Sequence, residues 1–129
     1  MAQIKIYALG STIDQHRQTL SAAIHAALVS SLNYPIEKKF QRFIRLAPED
    51  FIYPADRSTN YTIIEISMFD GRSIASKKAF IQQLFTNIGQ QCGIAAQDIE
   101  ITMIETPRHN WGIRGQCGDE LSLNYKVEV

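Results

Sequence analysis

An arginine at the predicted start of a helix is the residue best placed to bind an anion. Arg72 stands in the turn DGRS (residues 70–73), between an apolar run and an amphipathic one. Backbone N–H groups at the start of a helix have no partner within the helix, so together with a guanidinium they can hold a carboxylate or a phosphate. The same position also suits an arginine that simply begins a helix at the protein surface.

A second group of candidates includes the single tryptophan. Trp111 is flanked by Arg108 and Arg114, which suits either an aromatic pocket wall with cationic neighbours or a packed anchor of the core. Lys38 or Lys39 would act as a base only if burial lowered a pKa of ~10.4 by about three units. In so charged a segment, both lysines are also typical of a solvated face.

Other kinds of site find little support in the sequence. His16, His25 and His109 show no ligand spacing with one another or with either cysteine, so we expect no metal. No phosphate-binding loop, dinucleotide fingerprint or nucleophile elbow occurs, and we expect no cofactor. Cys92 and Cys117 form no CxxC pair, which favours reduced thiols and a cytoplasmic location.

Charge and hydropathy argue against two classes of partner. Thirteen basic and thirteen acidic residues cancel and are spread along the 129-residue chain, without the basic stripe that attracts nucleic acid. No window approaches the ~20 apolar residues of a membrane span, and the first residues do not resemble a signal peptide. We therefore expect neither a nucleic-acid nor a membrane partner, and a single domain over residues 1–129.

Hydrophobic periodicity divides the chain into two similar halves. The first half reads as a strand over residues 3–9, a helix over 13–33 and a strand over 40–46. The second repeats this order, with a strand over residues 62–69, a helix that follows Ser73, and a strand over 98–106. We place the pseudo-repeats at about residues 1–48 and 61–107, with a C-terminal extension over 108–129.

Polar residues should begin and end these helices. We expect Ser11 or Thr12 to cap the first helix, Ser73 to cap the second, and Gly93 to end the second in a left-handed conformation. The inner face of the second helix is predicted to comprise six residues: Ile74, Ile81, Leu84, Phe85, Ile88 and Cys92.

Two β-α-β units side by side predict an α+β fold. Crossover helices join parallel strands, so the expected architecture is a four-stranded mixed sheet with both helices on one face. The opposite face is of mixed polarity. Residues 121–129 (LSLNYKVEV) alternate like an additional C-terminal strand, which would pair either with a neighbouring subunit or within its own chain.

Four segments, taken in order, resemble the long-chain tautomerase superfamily, which includes malonate semialdehyde decarboxylase and many tautomerase-like proteins. They are LSAAIHAALVSSLNYP (residues 20–35), KKFQRFIRLAPEDFIY (38–53), GRS with KKAFIQQL (71–84), and DIEITMIETPRHNWG (98–112). The resemblance implies a homotrimer in which three sheets line an inner barrel with the helices outside. It also gives the terminal strand a partner across the subunit boundary.

The resemblance implies chemistry at the amino terminus. In that family a proline exposed by removal of the initiator methionine acts as base or acid, because an apolar pocket and nearby cations depress its pKa. In this chain the proline position falls on Ala2. The nitrogen of Ala2 is a primary amine with a pKa near ~7.7–8.0 if Met1 is removed, and an amide that takes no proton if Met1 is kept.

The family's other site positions are only partly kept. The arginine of the first turn falls on Ser11 or Thr12, and the carboxylate that helps to activate water falls on Lys38. Of two arginines after the third strand, one falls on Asp70 and the other is kept as Arg72.

The late aromatic residue is kept as Trp111, while a following phenylalanine becomes Ile113. Arg108 and Arg114 are candidates to replace the missing arginines. The candidate catalytic position is thus Ala2, and the candidate substrate-binding residues are Arg72, Trp111, Lys38 and Arg114.

Three functions remain open at this point. The first is a diverged tautomerase-type enzyme acting on a small keto or enol acid at a subunit-interface pocket, with a small carboxylate as its ligand. The second is a non-catalytic trimer that keeps the fold as a ligand-binding or interaction module. The third is a ferredoxin-like small-molecule sensor domain, which shares the β-α-β-β-α-β order.

Overall fold

The computed structural model describes residues 2–129. In chain order it contains β1 (Ala2–Leu9), α1 (Gly10–Leu32), β2 (Gln41–Leu46), β3 (Thr62–Phe69), α2 (Ile74–Cys92), β4 (Ile99–Thr106), β5 (Gly112–Ile113) and β6 (Gln116–Cys117). The first six elements confirm the predicted doubled β-α-β order. Neither of the two helices in this part of the chain is long and apolar enough to cross a lipid bilayer.

The four long strands form one mixed sheet in the order β2-β1-β3-β4. β1 runs parallel to β2, and β3 runs parallel to β4, as their crossover helices require. β1 and β3 pair antiparallel in the centre of the sheet, where Ala2 lies opposite Met68. The predicted mixed sheet is therefore confirmed, and the start of β1 lies beside the end of β3.

Both helices pack on one face of this sheet and against each other. The core joins α1 side chains such as Leu20 and Ile24 to sheet residues such as Ile6 and Ile64, all of them without solvent exposure. Removing these apolar side chains from water is the main force that holds the helices down. Asn87 is polar but nearly buried, and its Nδ2 donates to the carbonyl oxygen of Ala23 at 3.2 Å, which ties α2 to α1.

The start of α1 differs from the prediction. The helix begins at Gly10 after Leu9, which provides no side-chain cap, so neither Ser11 nor Thr12 caps it. Thr12 instead donates from Oγ1 to the carbonyl oxygen of Thr59 at 2.7 Å. Its hydroxyl is used by a long-range contact that local sequence cannot reveal.

The ends of α2 follow the prediction. Ser73 caps the helix, because its Oγ accepts a hydrogen bond from the backbone N–H of Ser76 at 3.1 Å. Gly93 ends it with a φ of 69°, a left-handed conformation that glycine adopts without steric cost.

The buried face of α2 is rotated from the predicted one. Phe80, Leu84 and Ile88 are fully buried at spacings of one helical turn, whereas Ile74 is 71% exposed. At 3.6 residues per turn Ile74 is turned by roughly 120° from Phe80 and by about 40° from Ile88, and as the first residue of α2 it lies at the end of the helix, outside the packed turns. Including Ile74 in the inner face was wrong.

The expected terminal strand is corrected as well, because residues 121–129 form no strand. The two strands that follow β4 are β5 and β6, which pair as a short antiparallel hairpin. The last residues lie against their own chain, where Val127 is 1% exposed and packs on Phe69. Alternating apolar residues indicate that one side of a segment is buried, and in this segment that burial does not come from strand pairing.

Replacing Phe80 tests the position of the buried face of α2. The change Phe80→Ala should lower the free energy of unfolding by about 3–5 kcal/mol, because it empties a packed core position. Ile74→Ala is the matched control and should change it by less than about 0.5 kcal/mol. Urea unfolding followed by circular dichroism measures both, and equal losses for the two variants would contradict the assignment.

Candidate functional site

Three segments of the chain meet at the end of the sheet where β1 begins. The antiparallel pairing of β1 with β3 brings Ala2 opposite Met68, shortly before Arg72 in the turn after β3. The parallel pairing of β1 with β2 places Ile4 opposite Gln41, just after the connection that joins α1 to β2. The start of the chain, the turn after β3 and the α1–β2 connection therefore lie side by side.

The nitrogen of Ala2 forms a buried hydrogen bond. Ala2 is 2% exposed, and its N–H donates to the hydroxyl oxygen of Tyr34 at 2.9 Å. Tyr34 follows Asn33, whose left-handed conformation with a φ of 52° ends α1 and redirects the chain. Met1 lies outside the described residues, and its removal or retention decides whether this nitrogen is an amine or an amide.

Two tyrosines pack together beside that nitrogen. The ring centroids of Tyr34 and Tyr125 are 5.2 Å apart and the ring planes are tilted by 59°. Burial is the main cause that raises the pKa of each hydroxyl above its usual value. Both hydroxyls therefore keep their protons at neutral pH and act as hydrogen-bonding groups rather than as bases.

Arg72 is the buried cation of the same cluster. It is 5% exposed, and its Nη1 donates to the carbonyl oxygen of Phe69 at 3.1 Å. Its Nε and Nη2 are buried and meet no acceptor in good hydrogen-bonding geometry among residues 2–129, although the hydroxyl of Tyr125 lies close enough to interact with the guanidinium. Burial lowers the pKa of the guanidinium, while the nearby phenols of Tyr125 and Tyr34 and the carboxylate of Glu105 oppose that shift.

An arginine remains charged at neutral pH even when its pKa falls somewhat. Two charged N–H groups without acceptors, away from water, favour the binding of an anion, and a planar carboxylate matches their geometry. Arg72 is thus the strongest anion-binding candidate of the cluster.

Lys38 lies on the outer side of the tyrosine pair. Its Nζ is 5.0 Å from the centroid of the Tyr125 ring, a cation–π contact. The structure therefore brings Ala2, Arg72 and Lys38, three of the five candidate residues from the sequence, into one cluster joined by Tyr34 and Tyr125.

Trp111 packs next to this cluster. Its ring meets the ring of Phe69 edge-on, with centroids 5.2 Å apart and planes at 86°. Its Nε1 donates to Oγ1 of Thr106 at 2.8 Å. Because Arg72 bonds to the carbonyl of Phe69, the tryptophan serves as a packed anchor for the backbone that holds the guanidinium.

The remaining arginines lie farther out. Arg114 is exposed in the turn between β5 and β6 with a φ of 50°. Together with Gln3 and Phe40 it lines a cleft of about 350 Å³ that opens beside the start of β1. Arg108 donates from Nη2 to Oε1 of Glu128 at 3.0 Å, so this arginine is already paired with the C-terminal segment.

The C-terminal segment, residues 121–129, covers this end of the fold. Tyr125 packs on Tyr34, Val127 is buried on Phe69, and the carbonyl oxygen of Val129 accepts a hydrogen bond from the N–H of Ser73 at 3.0 Å. This cover is consistent with the burial of the guanidinium in the neighbouring turn.

Sequence reasoning missed the two tyrosines. Tyr34 stands between Asn33 and Pro35 at the end of α1, where the local pattern predicts the end of a helix but no role for the side chain. The pattern of residues 121–129 predicts Tyr125 only as one residue of a terminal strand. The rigid Asn-Tyr-Pro helix end is the one local signal that could have marked Tyr34 as a fixed side chain.

One group of side chains brings potential metal ligands together in the part of the chain that the structure describes. The ligand atoms of Cys117, Asp119 and Glu120 lie within 4.8 Å of one another, and all three residues are exposed. Exposed acidic groups often cluster without an ion, so we assign no metal site to them.

Known proteins share this sequence pattern and fold. A protein-family model described as "Tautomerase enzyme" matches residues 38–114. A 2-hydroxymuconate tautomerase of Pseudomonas putida is 33% identical to this chain over 57 residues. The matched region covers 44% of this chain and 90% of that protein. A malonate semialdehyde decarboxylase inhibited by 3-bromopropiolate is similar at 27% identity and a TM-score of 0.76, over 85% of this chain and 87% of that one. A wild-type fused 4-OT in a symmetric trimer is similar in fold, with a TM-score of 0.78 at 17% identity over 91% and 96% of the chains.

Shortening Val127 should loosen the cover formed by the C-terminal segment. The change Val127→Ala removes two buried methyl groups and should lower the free energy of unfolding by about 1–2 kcal/mol. Trp111 is the only tryptophan of the chain, so its fluorescence reports on this region, and its quenching by iodide should increase. Lys126→Ala, at an exposed neighbouring position, should change neither quantity. Identical iodide quenching in Val127→Ala and the unchanged protein would contradict the covering role.

Proposed function

Because this chain belongs to the tautomerase family, we propose that it is a diverged tautomerase-like protein that binds a small keto or enol acid and has weak or no proton-transfer activity. The observation that carries this proposal is the pair of buried N–H groups of Arg72 without acceptors. They belong to the cluster in which Tyr34 holds the nitrogen of Ala2. A carboxylate would complete the hydrogen bonds of the guanidinium and leave the remainder of a small acid near that nitrogen.

The nitrogen of residue 2 would carry the proton. When Met1 is removed, burial and the nearby guanidinium both disfavour the ammonium form of the Ala2 amine, whose ordinary pKa is ~7.7–8.0. A neutral amine can take a proton from the carbon beside a keto group and return it to the enolate oxygen, so that keto and enol forms interconvert without net loss. The Arg72 guanidinium would stabilise the negative charge that develops in between.

Several departures from the family pattern support weak activity. An alanine supplies at best a primary amine, and an amide if Met1 is kept. The first-turn position of the family arginine offers only Ser11 or Thr12, and Thr12 is already bonded to the carbonyl of Thr59. Fewer cations would therefore steady the enolate than the family pattern provides.

The alternative is a non-catalytic trimeric module that keeps the fold for ligand binding or for interaction. The hydrogen bond from the Ala2 nitrogen to Tyr34 favours this alternative, because it uses the nitrogen as a buried structural donor. The two functions share the Arg72 anion site and differ only in whether residue 2 moves a proton.

We propose that the protein assembles as a homotrimer, with the ligand pocket at the subunit boundary. Phe40, just before edge strand β2, is 49% exposed, and Ile104, in edge strand β4, is 45% exposed. Burying large apolar residues at both sheet edges against neighbouring subunits would be favourable. The fused 4-OT that shares this fold forms a symmetric trimer, and three sheets closed in this way would line an inner barrel.

We also propose a reducing compartment such as the cytoplasm as the place where the protein works. Both cysteines are free thiols, and Cys117 is exposed, a condition that a reducing environment preserves. Burial raises the pKa of the Cys92 thiol, which keeps this residue protonated and unreactive.

Sedimentation tests the trimer. The unchanged chain should sediment with three times the 14.6 kDa mass of one chain. Ile104→Asp should reduce that mass, because a charge at an apolar contact between subunits cannot be solvated there. Ala22→Asp, at an exposed position of α1, is the control and should leave the mass unchanged. A monomer or dimer for the unchanged chain would refute the assembly.

Turnover and binding assays with phenylenolpyruvate test the function. Arg72→Met should weaken binding of this acid about 10- to 100-fold, since it removes charge-assisted hydrogen bonds worth roughly 1.5–3 kcal/mol. Arg17→Met, at a half-exposed position on α1, is the control and should bind normally. Calorimetry measures the affinity, and the decay of enol absorbance measures proton transfer.

Chains that begin at Met1 and at Ala2 are compared in the same assays. A rate above that of buffer only for the Ala2 chain supports the enzyme. Binding that depends on Arg72 without turnover supports the non-catalytic module. Absence of binding by both chains would refute the enzyme and the binding of this acid, and would leave only the interaction module.

A further inference from the structure

The hydroxyl of Tyr34 contacts the atom on which the proposed proton transfer depends. It lies 2.9 Å from the nitrogen of Ala2, and both residues are 2% exposed, so water does not compete for this contact. The nitrogen is the donor, which makes the phenol oxygen the acceptor. The phenol's own proton must then be directed to another group.

Tyr125 is the group beside it. The two rings are 5.2 Å apart, and their hydroxyls are hydrogen-bonded to each other. Because the oxygen of Tyr34 already accepts the N–H of Ala2, the hydroxyl proton of Tyr34 is the one directed toward Tyr125, so that Tyr34 donates and Tyr125 accepts. The three groups therefore form a directed chain from the nitrogen of Ala2 through Tyr34 to Tyr125.

A phenol beside a neutral amine has two possible roles. It can donate its proton to the nitrogen lone pair, which blocks the lone pair, or it can accept an N–H and leave the lone pair open. Tyr125 favours the second role, because its oxygen accepts the hydrogen bond that the Tyr34 hydroxyl donates.

We propose that Tyr34 is a positioning residue for the nitrogen of residue 2. Its oxygen accepts one N–H of that nitrogen, while its own hydroxyl donates a hydrogen bond to Tyr125. The lone pair of a free amine then stays available for the substrate. This inference rests on the proposed function for its role in a reaction, because only a free amine at residue 2 can take up a proton. The hydrogen bond itself can be tested without substrate.

The charged and titratable groups around the nitrogen determine the sign of the pH effect. Arg72, from the turn after β3, and Lys38, from the α1–β2 connection, are cations that disfavour the ammonium form. Glu105 of β4 lies near Arg72 and is itself paired with Lys77, whose Nζ is 2.6 Å from its Oε1. Tyr34 favours the ammonium form, because an oxygen accepts a stronger hydrogen bond from a charged N–H.

Removing this hydroxyl should lower the pKa of the amine. In the chain that begins at Ala2, Tyr34→Phe should lower it by about one pH unit, a tenfold change in proton affinity. The base acts in its neutral form, so the rise of kcat/KM with pH should move to lower pH by the same amount. KM should stay unchanged, because Arg72 still holds the carboxylate.

An NMR titration of the Ala2 methyl resonance measures this pKa directly. Tyr53→Phe, which removes a hydroxyl from the separate aromatic group around Phe51 and Tyr61, is the matched control and should leave the titration unchanged. An unchanged pKa in folded Tyr34→Phe protein would overturn the inference. The titration needs no substrate, so it tests the contact with Tyr34 independently of activity. A chain without turnover would refute the proposed enzyme and leave the measured pKa as the test of this inference.

A second measurement needs no substitution and covers the case in which Tyr34→Phe fails to fold. In the chain that retains Met1, the same contact is made by the backbone amide of Ala2, and hydrogen exchange reports it. Exchange at least about a hundredfold slower than in an unstructured peptide is expected for this buried bond. Exchange at the unstructured rate would overturn the inference.

Discussion

A guanidinium removed from water needs acceptors from its surroundings, and the end of the fold around Arg72 is arranged under that requirement. The carbonyl of Phe69 satisfies one of its N–H groups, while two others remain buried without acceptors. A buried charge with incomplete partners is costly, and a small anion would remove part of that cost.

A larger cleft of about 500 Å³ beside α1, lined by Ala22, Val29 and Ile36 among others, is mostly apolar. Its lining also includes Lys39 and the buried His25, whose Nε2 is bonded to the carbonyl oxygen of Ile36, and we attach no chemistry to it.

Sheet topology explains why the chemistry gathers at one end of the molecule. Antiparallel pairing in the centre of the sheet places the first residue of β1 beside the last residues of β3. The turn that carries Arg72 is then a neighbour of Ala2, although the two are far apart in sequence. Parallel pairing of β1 with β2 brings in the connection that carries Tyr34 and Lys38. One arrangement of strands thus gathers a nitrogen, two cations and a phenol.

The C-terminal segment completes this end of the fold. Tyr125 extends the hydrogen bonds of Tyr34, and Val127 shields Phe69 and the guanidinium that is bonded to it. The burial that raises the pKa of both phenols and lowers that of Arg72 depends on this cover.

Local patterns in the sequence predicted the order of the elements, the bounds of β3, the cap at Ser73 and the stop at Gly93. Each depends on side chains or backbone conformations within a few residues. Arg72 could be identified as a candidate for the same reason, since a turn between a strand and a helix can be recognised locally. The misplaced Ile74 shows the limit of such patterns, because a 3.6-residue period identifies an apolar face but does not say where the sheet ends.

The sequence by itself determined a doubled β-α-β chain and the family it resembles, and this resemblance predicts that Ala2 stands at the position of the family's proline. Only the tertiary structure decided that Tyr34 holds the nitrogen of Ala2, that Arg72 is buried with two N–H groups lacking well-placed acceptors, and that residues 121–129 pack over this end of the fold instead of forming a strand. The physical reason is that hydrogen bonds and burial depend on which distant segments become neighbours. Strand pairing sets those neighbours, and no local pattern of residue types encodes them.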